Sequence, residues 1–166
     1  MKLNYILIEE NATKNIIFAA NELQKYCKKA CGLNFQIAEG NKQTDGYVIS
    51  LGLNNFAKSA GYGLDTIKNL PAGGYCIKSQ GNNVFILGKE DVQVVYGVYG
   101  LLEKVINFTA VAPDEINYDV CEYNVPTEDI VYSPAIPNFA ISTWDTDCVD
   151  NTEGGFRNAA LYKMLQ

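Results

Sequence analysis

Two adjacent carboxylates, Asp114 and Glu115, an acidic run from Asp145 to Glu153, the pair Gly73-Gly74 and five cysteines are the places in this 166-residue chain where reactive chemistry could reside. Cleaving a glycosidic bond with two acids requires carboxyls that converge roughly 5 to 10 Å apart. Asp114 and Glu115 are consecutive residues behind Pro113, and consecutive side chains normally point apart, so they do not read as such a pair. The run 145–153 invites a calcium-loop reading that fails by position. With Asp145 first, Val149 takes the fifth place, Asp150 stands where glycine is required and Phe156 where the bidentate glutamate belongs. It reads as a solvated loop, with a casual cation site as the alternative. Ala72-Gly73-Gly74-Tyr75 lacks both the Lys and Ser/Thr of a phosphate loop and the G-x-G-x-x-G of a dinucleotide site, and reads as a turn entering a strand.

The histidine count is zero, which excludes Ser-His-Asp and Cys-His nucleophile machinery, histidine-ligated zinc and histidine proton shuttles. Carboxylate, Lys, Tyr or Cys chemistry is what remains to an enzyme, or chemistry supplied by another part of a longer polypeptide. The cysteines, Cys27, Cys31, Cys76, Cys121 and Cys148, are odd in number and contain no C-x-x-C pair, so they spell neither a disulfide scaffold nor a zinc knuckle. Cys27 and Cys31 stand four apart on an expected helix and share a face, as small buried apolar residues would. Thirteen Lys plus Arg against nineteen Asp plus Glu give a net charge of −6, and Arg157 is the single arginine. That argues against a nucleic-acid partner, which needs clustered positive charge and leans on Arg. No catalytic, cofactor-binding or metal-ligating residue is nominated, and no cofactor is expected.

The elements that would position any site follow from periodicity. Leu3 to Ile8 reads as a strand, too short for a signal-peptide core or a membrane span. The expectation is a cytoplasmic chain or one that has lost a leader. Thr13 looks like an N-cap, and behind it Ile16, Ala19, Ala20, Leu23, Tyr26, Cys27 and Ala30 recur at three-and-four spacing up to Gly32, placed as a left-handed C-terminal cap. Asn34 to Ala38 and Tyr47 to Leu51 are β-prone runs. The stretch from Gly52 to Ala72 reads as surface loop with one short helix at 55–59. Tyr75 to Ser79 and Val84 to Leu87 flank Gln80-Gly81-Asn82-Asn83, which is hairpin grammar. Asp91 opens a second helix that closes near Asn107. Gly97 and Gly100 inside it each cost about 1 kcal/mol against Ala, which points to close packing on a neighbour. A sugar-stacking platform could be built from the eleven tyrosines and seven phenylalanines, but Tyr5, Tyr26, Tyr75, Phe85, Tyr96 and Tyr99 fall at core-like spacing.

Beyond Asn107 the character changes. Residues 1–110 hold eleven Lys and nine acids, net +2, and residues 111–166 hold one Lys, one Arg and ten acids, net −8. Pro113, Pro126, Pro134 and Pro137 punctuate this second stretch, which reads as extended connection with strand-like pieces at Ile116 to Tyr118 and Phe139 to Ser142. Helical spacing returns at Ala160, Leu161, Met164 and Leu165 with no stop behind it, as in an excised front portion of a longer polypeptide.

The succession Glu22-Leu23-Gln24-Lys25-Tyr26, Gly74-Tyr75-Cys76-Ile77, Ile86-Leu87-Gly88-Lys89, Tyr96-Gly97-Val98-Tyr99-Gly100-Leu101-Leu102-Glu103 and Ala112-Pro113-Asp114-Glu115 resembles, over residues 1–140, the N-terminal accessory domain of glycoside hydrolases. The domain type is that of family 67 α-glucuronidases, family 20 β-hexosaminidases and family 89 α-N-acetylglucosaminidases, and of related bacterial proteins. The resemblance implies an α+β fold, a two-layer α/β sandwich whose mixed sheet carries two helices on one face. It also implies that catalysis belongs to a following (β/α)8 barrel of the same polypeptide. Family 20 enzymes carry a sugar-contacting arginine close behind a P-x-F segment. Here Pro137-Asn138-Phe139 is followed by Ala140-Ile141-Ser142-Thr143, so that contact does not carry over.

The expected organisation is an accessory domain at 1–125, a proline-containing connection at 126–143 and the start of the barrel domain at 144–166. The expected function is that of a non-catalytic N-terminal domain of a multidomain glycoside hydrolase. It would pack against the C-terminal catalytic barrel and border the substrate cleft, while the parent hydrolyses O-glycosyl bonds. The alternatives are a carbohydrate-binding module that stacks oligosaccharide on exposed Tyr and Trp144, and a protein-interaction domain with no sugar role. No nucleic acid or membrane partner is expected.

Overall fold

Strand β1 (Asn4–Ile8) is the hub of the computed structural model, which describes residues 2–42, 44–112 and 115–134. It pairs in parallel with both β2 (Phe35–Glu39) and β3 (Val48–Leu51). Strand β3 pairs in parallel with β5 (Asn83–Gly88). Two antiparallel strands follow, β4 (Tyr75–Gln80) on β5 and β8 (Ile130–Tyr132) on β4. The resulting six-stranded mixed sheet has the order β2-β1-β3-β5-β4-β8. Strand β8 falls within the stretch 126–143 read as a connection, and it takes the sheet edge beside β4.

The first helix, α1 (Lys14–Cys31), begins and ends on the residues that its sequence marks. Thr13 Oγ1 accepts from the Ile16 amide at 3.4 Å, and Gly32 closes the helix at φ 66°, a left-handed conformation that costs glycine nothing. The second long helix, α4 (Asp91–Ile106), is capped by Asn107 at φ 51°. Both lie on one face of the sheet, and they run parallel to each other. Thr13 donates to Asp91 Oδ2 at 2.6 Å near their starts, and the Tyr99 hydroxyl donates to Glu22 Oε2 at 3.0 Å midway. The core between helices and sheet comprises Ile6, Ile8, Ile49, Leu51, Ile77, Val84 and Ile86 from the strands, with Leu23, Val95, Val98 and Leu102 among the helical residues. The long helices and the mixed sheet form the α+β sandwich expected from the sequence.

Gly97 and Gly100 show why the second helix contains small residues. A β-carbon at Gly97 would collide with an Ile86 methyl, and one at Gly100 would lie 2.7 Å from Tyr75 Cζ. Glycine lets α4 sit directly on β4 and β5.

The sheet's other face departs from the expectation of surface loop between Gly52 and Ala72. That segment folds into two short helical turns, α2 (Asn55–Ser59), as read, and α3 (Leu64–Ile67), and it forms a second core. Ala57, Ile67 and Leu70 are buried there against Cys76, Phe85 and Leu87, with Phe56 stacked on Phe85 at 5.5 Å. Turn residues between such short pieces erase the periodicity that reveals burial in longer elements. The 80–83 hairpin forms as read, with positive φ at Gly81 and none at Asn82, the pattern of a type II′ turn.

After Asn107 a small hairpin forms from β6 (Thr109–Ala112) and β7 (Glu115–Asn117). Residues 118–129 then run as a strap across the C-terminal ends of both long helices. The Asp119 amide donates to Ile106 O at 2.7 Å and the Cys121 amide to Ala30 O at 3.2 Å. The strand expected at 139–142 and the helix expected at 157–166 lie outside the described residues.

Candidate functional site

The strand order brings the beginnings of β1, β2, β3 and β5 to one end of the sheet, beside the turn that ends α1. A cleft of about 410 Å³ opens there, and its polar and aromatic lining is Lys2, Asn4, Asn34, Asp45, Tyr47 and Asn82. Its floor is held by local bonds. Asn4 Oδ1 accepts from the Tyr47 amide at 2.9 Å, while Thr44 Oγ1 donates to Leu3 O at 2.5 Å and accepts from the Gly46 amide at 3.1 Å. Gly46 is buried, and a β-carbon there would lie 2.6 Å from Asn4 Oδ1.

The Tyr47 ring stands edge-on to Tyr123 at 4.8 Å, and Tyr123 in turn meets Phe35 at 5.9 Å. The strap thus buttresses the cleft wall from behind. Burial pushes the Tyr123 phenol above its ordinary value, so it stays protonated at neutral pH. Three amides, one carboxylate, one ammonium and one phenol around a cleft of this size can make directional hydrogen bonds to a polyhydroxylated molecule. The lining supplies one carboxylate, whereas two-acid glycoside cleavage needs two.

Elsewhere several acids serve structural pairs. Glu22 accepts from Tyr99 and pairs with Lys25 at 3.0 Å, Asp91 accepts from Thr13, and Asp119 accepts from Asn107 Nδ2 at 2.6 Å. Asp129, just before β8, meets Lys78 on β4 at 2.8 Å, and that ammonium holds the Asp129 carboxyl below its ordinary value. A second cavity of about 340 Å³ lies between the end of α4 and the strap, lined by residues such as Lys104, Asn124, Thr127 and Glu128.

Glu115 is exposed at the start of β7, and Asp114 lies outside the described residues, as do Trp144, Cys148, the run 145–153 and Pro137-Asn138-Phe139. Gly73-Gly74 forms a turn into β4, where the Gly74 amide donates to Pro71 O at 3.0 Å. Tyr26, Tyr75, Phe85 and Tyr99 are core residues, while Tyr5 and Tyr96 are half-buried. Cys27 and Cys31 share a face of α1, as their spacing requires, and Cys121 joins them from the strap. The cleft residues Asn4, Asn34, Asp45 and Asn82 were not singled out in the sequence, because each starts or precedes a different strand and no spacing relates them. Among the described residues no cluster of three or more His, Cys, Asp or Glu side chains could hold a metal ion, and no helix is long and apolar enough to cross a membrane.

A family model described as the N-terminus of glycosyl hydrolase family 67 matches residues 2–101. No sequence among curated proteins matches the chain. Among solved structures, a GH138 enzyme targeting pectin rhamnogalacturonan II is similar over 61% of this chain, with 16% identity and a TM-score of 0.40. A GH115 4-O-methyl-α-glucuronidase with specificity for decorated arabinogalactans is similar over 60%, with 11% identity and a TM-score of 0.48. CpGH84D is similar over 58%, with 19% identity and a TM-score of 0.41. The chain spans 10%, 13% and 17% of those three chains.

Proposed function

Because the chain belongs to the glycosyl hydrolase family 67 N-terminus family, we propose that it is the non-catalytic N-terminal domain of a multidomain glycoside hydrolase. In this reading it packs against a C-terminal catalytic barrel of the same polypeptide and borders the substrate cleft there. The family match over residues 2–101 carries the proposal. The engagement of Glu22, Asp91, Asp119 and Asp129 in structural pairs supports it, since a carboxylate committed to a cap or clamp is a poor acid or base. The test is turnover of synthetic aryl glycosides by the 166-residue chain at high protein concentration. No turnover is expected, and turnover abolished by Asp114→Asn or Glu115→Gln would refute the reading.

The cleft beside Tyr47 favours a second reading, in which the domain itself binds oligosaccharide. Aromatic faces and amide side chains are the groups that hold sugars in water. Calorimetric titration with oligosaccharides separates the two. Binding at millimolar or tighter dissociation constant, lost on Tyr47→Ala, supports the module, and loss on Trp144→Ala instead moves its site to that tryptophan.

A further inference from the structure

We propose that Cys31 and Cys121 form an intramolecular disulfide under oxidising conditions, stapling the strap to the last turn of α1. Three observations converge on this pair. The Cys121 amide donates to the carbonyl of Ala30, the residue before Cys31, at 3.2 Å, so the strap touches the end of α1 at that point. The Cys121 thiol donates to Val105 O at 3.3 Å, which turns it inward from the strap, and it lies close enough to Cys31 to perturb that thiol electrostatically. Both cysteines are half-buried and open to a small reagent.

Among the described residues, burial and geometry disfavour the other pairings. Cys27 and Cys31 stand one turn apart on α1, where β-carbons lie about 5 to 6 Å apart, whereas a disulfide needs about 3.5 to 4.5 Å. Cys27 is also sealed in the core at 1% exposure, and Cys76 is buried under the opposite face of the sheet. Burial and the neighbouring Cys121 push the Cys31 thiol up to about 11, so oxidation proceeds faster as pH rises toward that value.

The oxidant is a small disulfide such as oxidised glutathione. One cysteine thiolate attacks a glutathione sulfur, breaks the S–S bond and expels a glutathione thiolate, leaving a mixed disulfide. The second cysteine thiolate attacks the protein sulfur of that intermediate and expels the other glutathione thiolate. The two protons lost by the protein end on two reduced glutathiones, and the two electrons lost by the cysteines reduce the original glutathione disulfide.

The bridge would span 121 − 31 = 90 positions of chain, enclosing β2 to β7, and a loop that long removes much entropy from the unfolded state. It would also lock the buttress that Tyr123 supplies to the cleft wall.

The test uses the full 166-residue chain, incubated at alkaline pH with oxidised glutathione, alkylated under denaturing conditions and mapped without reduction. The free-thiol count should fall from five to three. The peptide bearing Cys31 should be joined to that bearing Cys121, and the thermal midpoint should rise by on the order of 10 °C, reversibly with dithiothreitol. Cys31→Ser and Cys121→Ser should each abolish the link and the rise, while Cys76→Ser keeps both. Five persistent thiols, a link through another cysteine, intermolecular dimers, or a Cys31–Cys121 link that leaves the midpoint unchanged would each overturn the proposal.

Discussion

The Tyr75 ring lies directly beneath Gly100, so close that a β-carbon at position 100 would fall 2.7 Å from Cζ and closer still to the hydroxyl. Tyr75 cannot move aside cheaply. It is 3% exposed and stacked on Tyr132 at 5.0 Å and 15°. Gly100→Ala gains about 1 kcal/mol of helix propensity but incurs about 1 to 3 kcal/mol of overpacking. Net destabilisation is expected because the clash is with a rigid ring. Chemical denaturation of Gly100→Ala, Tyr75→Phe and the double variant checks this. The cost of Gly100→Ala should shrink in the Tyr75→Phe background, and simple additivity would refute the contact.

Asn54 ties the second core to the sheet. Its Oδ1 accepts from Ser50 Oγ at 2.9 Å and from the Ala57 amide at 3.0 Å, while Nδ2 donates to Leu7 O at 3.1 Å and Leu51 O at 3.3 Å. Asn54→Ala removes a helix cap and leaves buried groups unpaired, at about 2 to 3 kcal/mol. Asn54→Asp keeps the acceptor but sets a buried carboxylate oxygen against the Leu7 and Leu51 carbonyls, and at neutral pH its urea midpoint should fall at or below that of Asn54→Ala.

Gly46 faces main chain rather than a pliable side chain. A β-carbon there would collide with the Leu3 carbonyl oxygen and press on Asn4 Oδ1, and β1 is fixed by partners on both edges. Gly46→Ala should destabilise the domain by about 2 kcal/mol or more and displace Asn4 from the Tyr47 amide. Amide hydrogen exchange at Tyr47 reads the second effect, and unchanged protection there would contradict it.

The Lys78–Asp129 pair gives a pH signature. The hydrogen bond from Lys78 lowers Asp129 below its ordinary 3.8, so its contribution is complete above that value and is lost as pH falls through the depressed one. The hydrogen bond to Asp129 raises Lys78 above 10.5, so its contribution is complete below 10.5 and is lost as pH climbs past the raised value. The carboxylate is 54% exposed, so the pair is worth no more than about 1 kcal/mol. Asp129→Asn should therefore lower stability slightly between about pH 5 and 10 and match wild type near pH 2. A deficit of the same size at pH 2 would show that the loss is not electrostatic.

Much of this architecture was legible in the order of residues. Thr13, Gly32 and the three-and-four spacing between them delimit α1, Asn107 marks the end of α4, and Gly81 turns the hairpin. Each signal is local, a cap, a period or a φ preference, and so survives without knowledge of what the element meets. Gly97 and Gly100 announced a close neighbour but could not name Ile86 and Tyr75, because that partnership depends on which strands lie under the helix.

Strand order, by contrast, is written nowhere in the local pattern. It alone gathers Asn4, Asn34, Tyr47 and Asn82 around one cleft, brings Cys121 beside Cys31, and buries Ile67 and Leu70 under Phe85 and Leu87. The residues by themselves determined the helices, the hairpin and the want of imidazole chemistry, since propensity and composition act at short range. Which side chains share a site was decided by the packed sheet, because contacts across tens of residues exist once the chain has closed on itself.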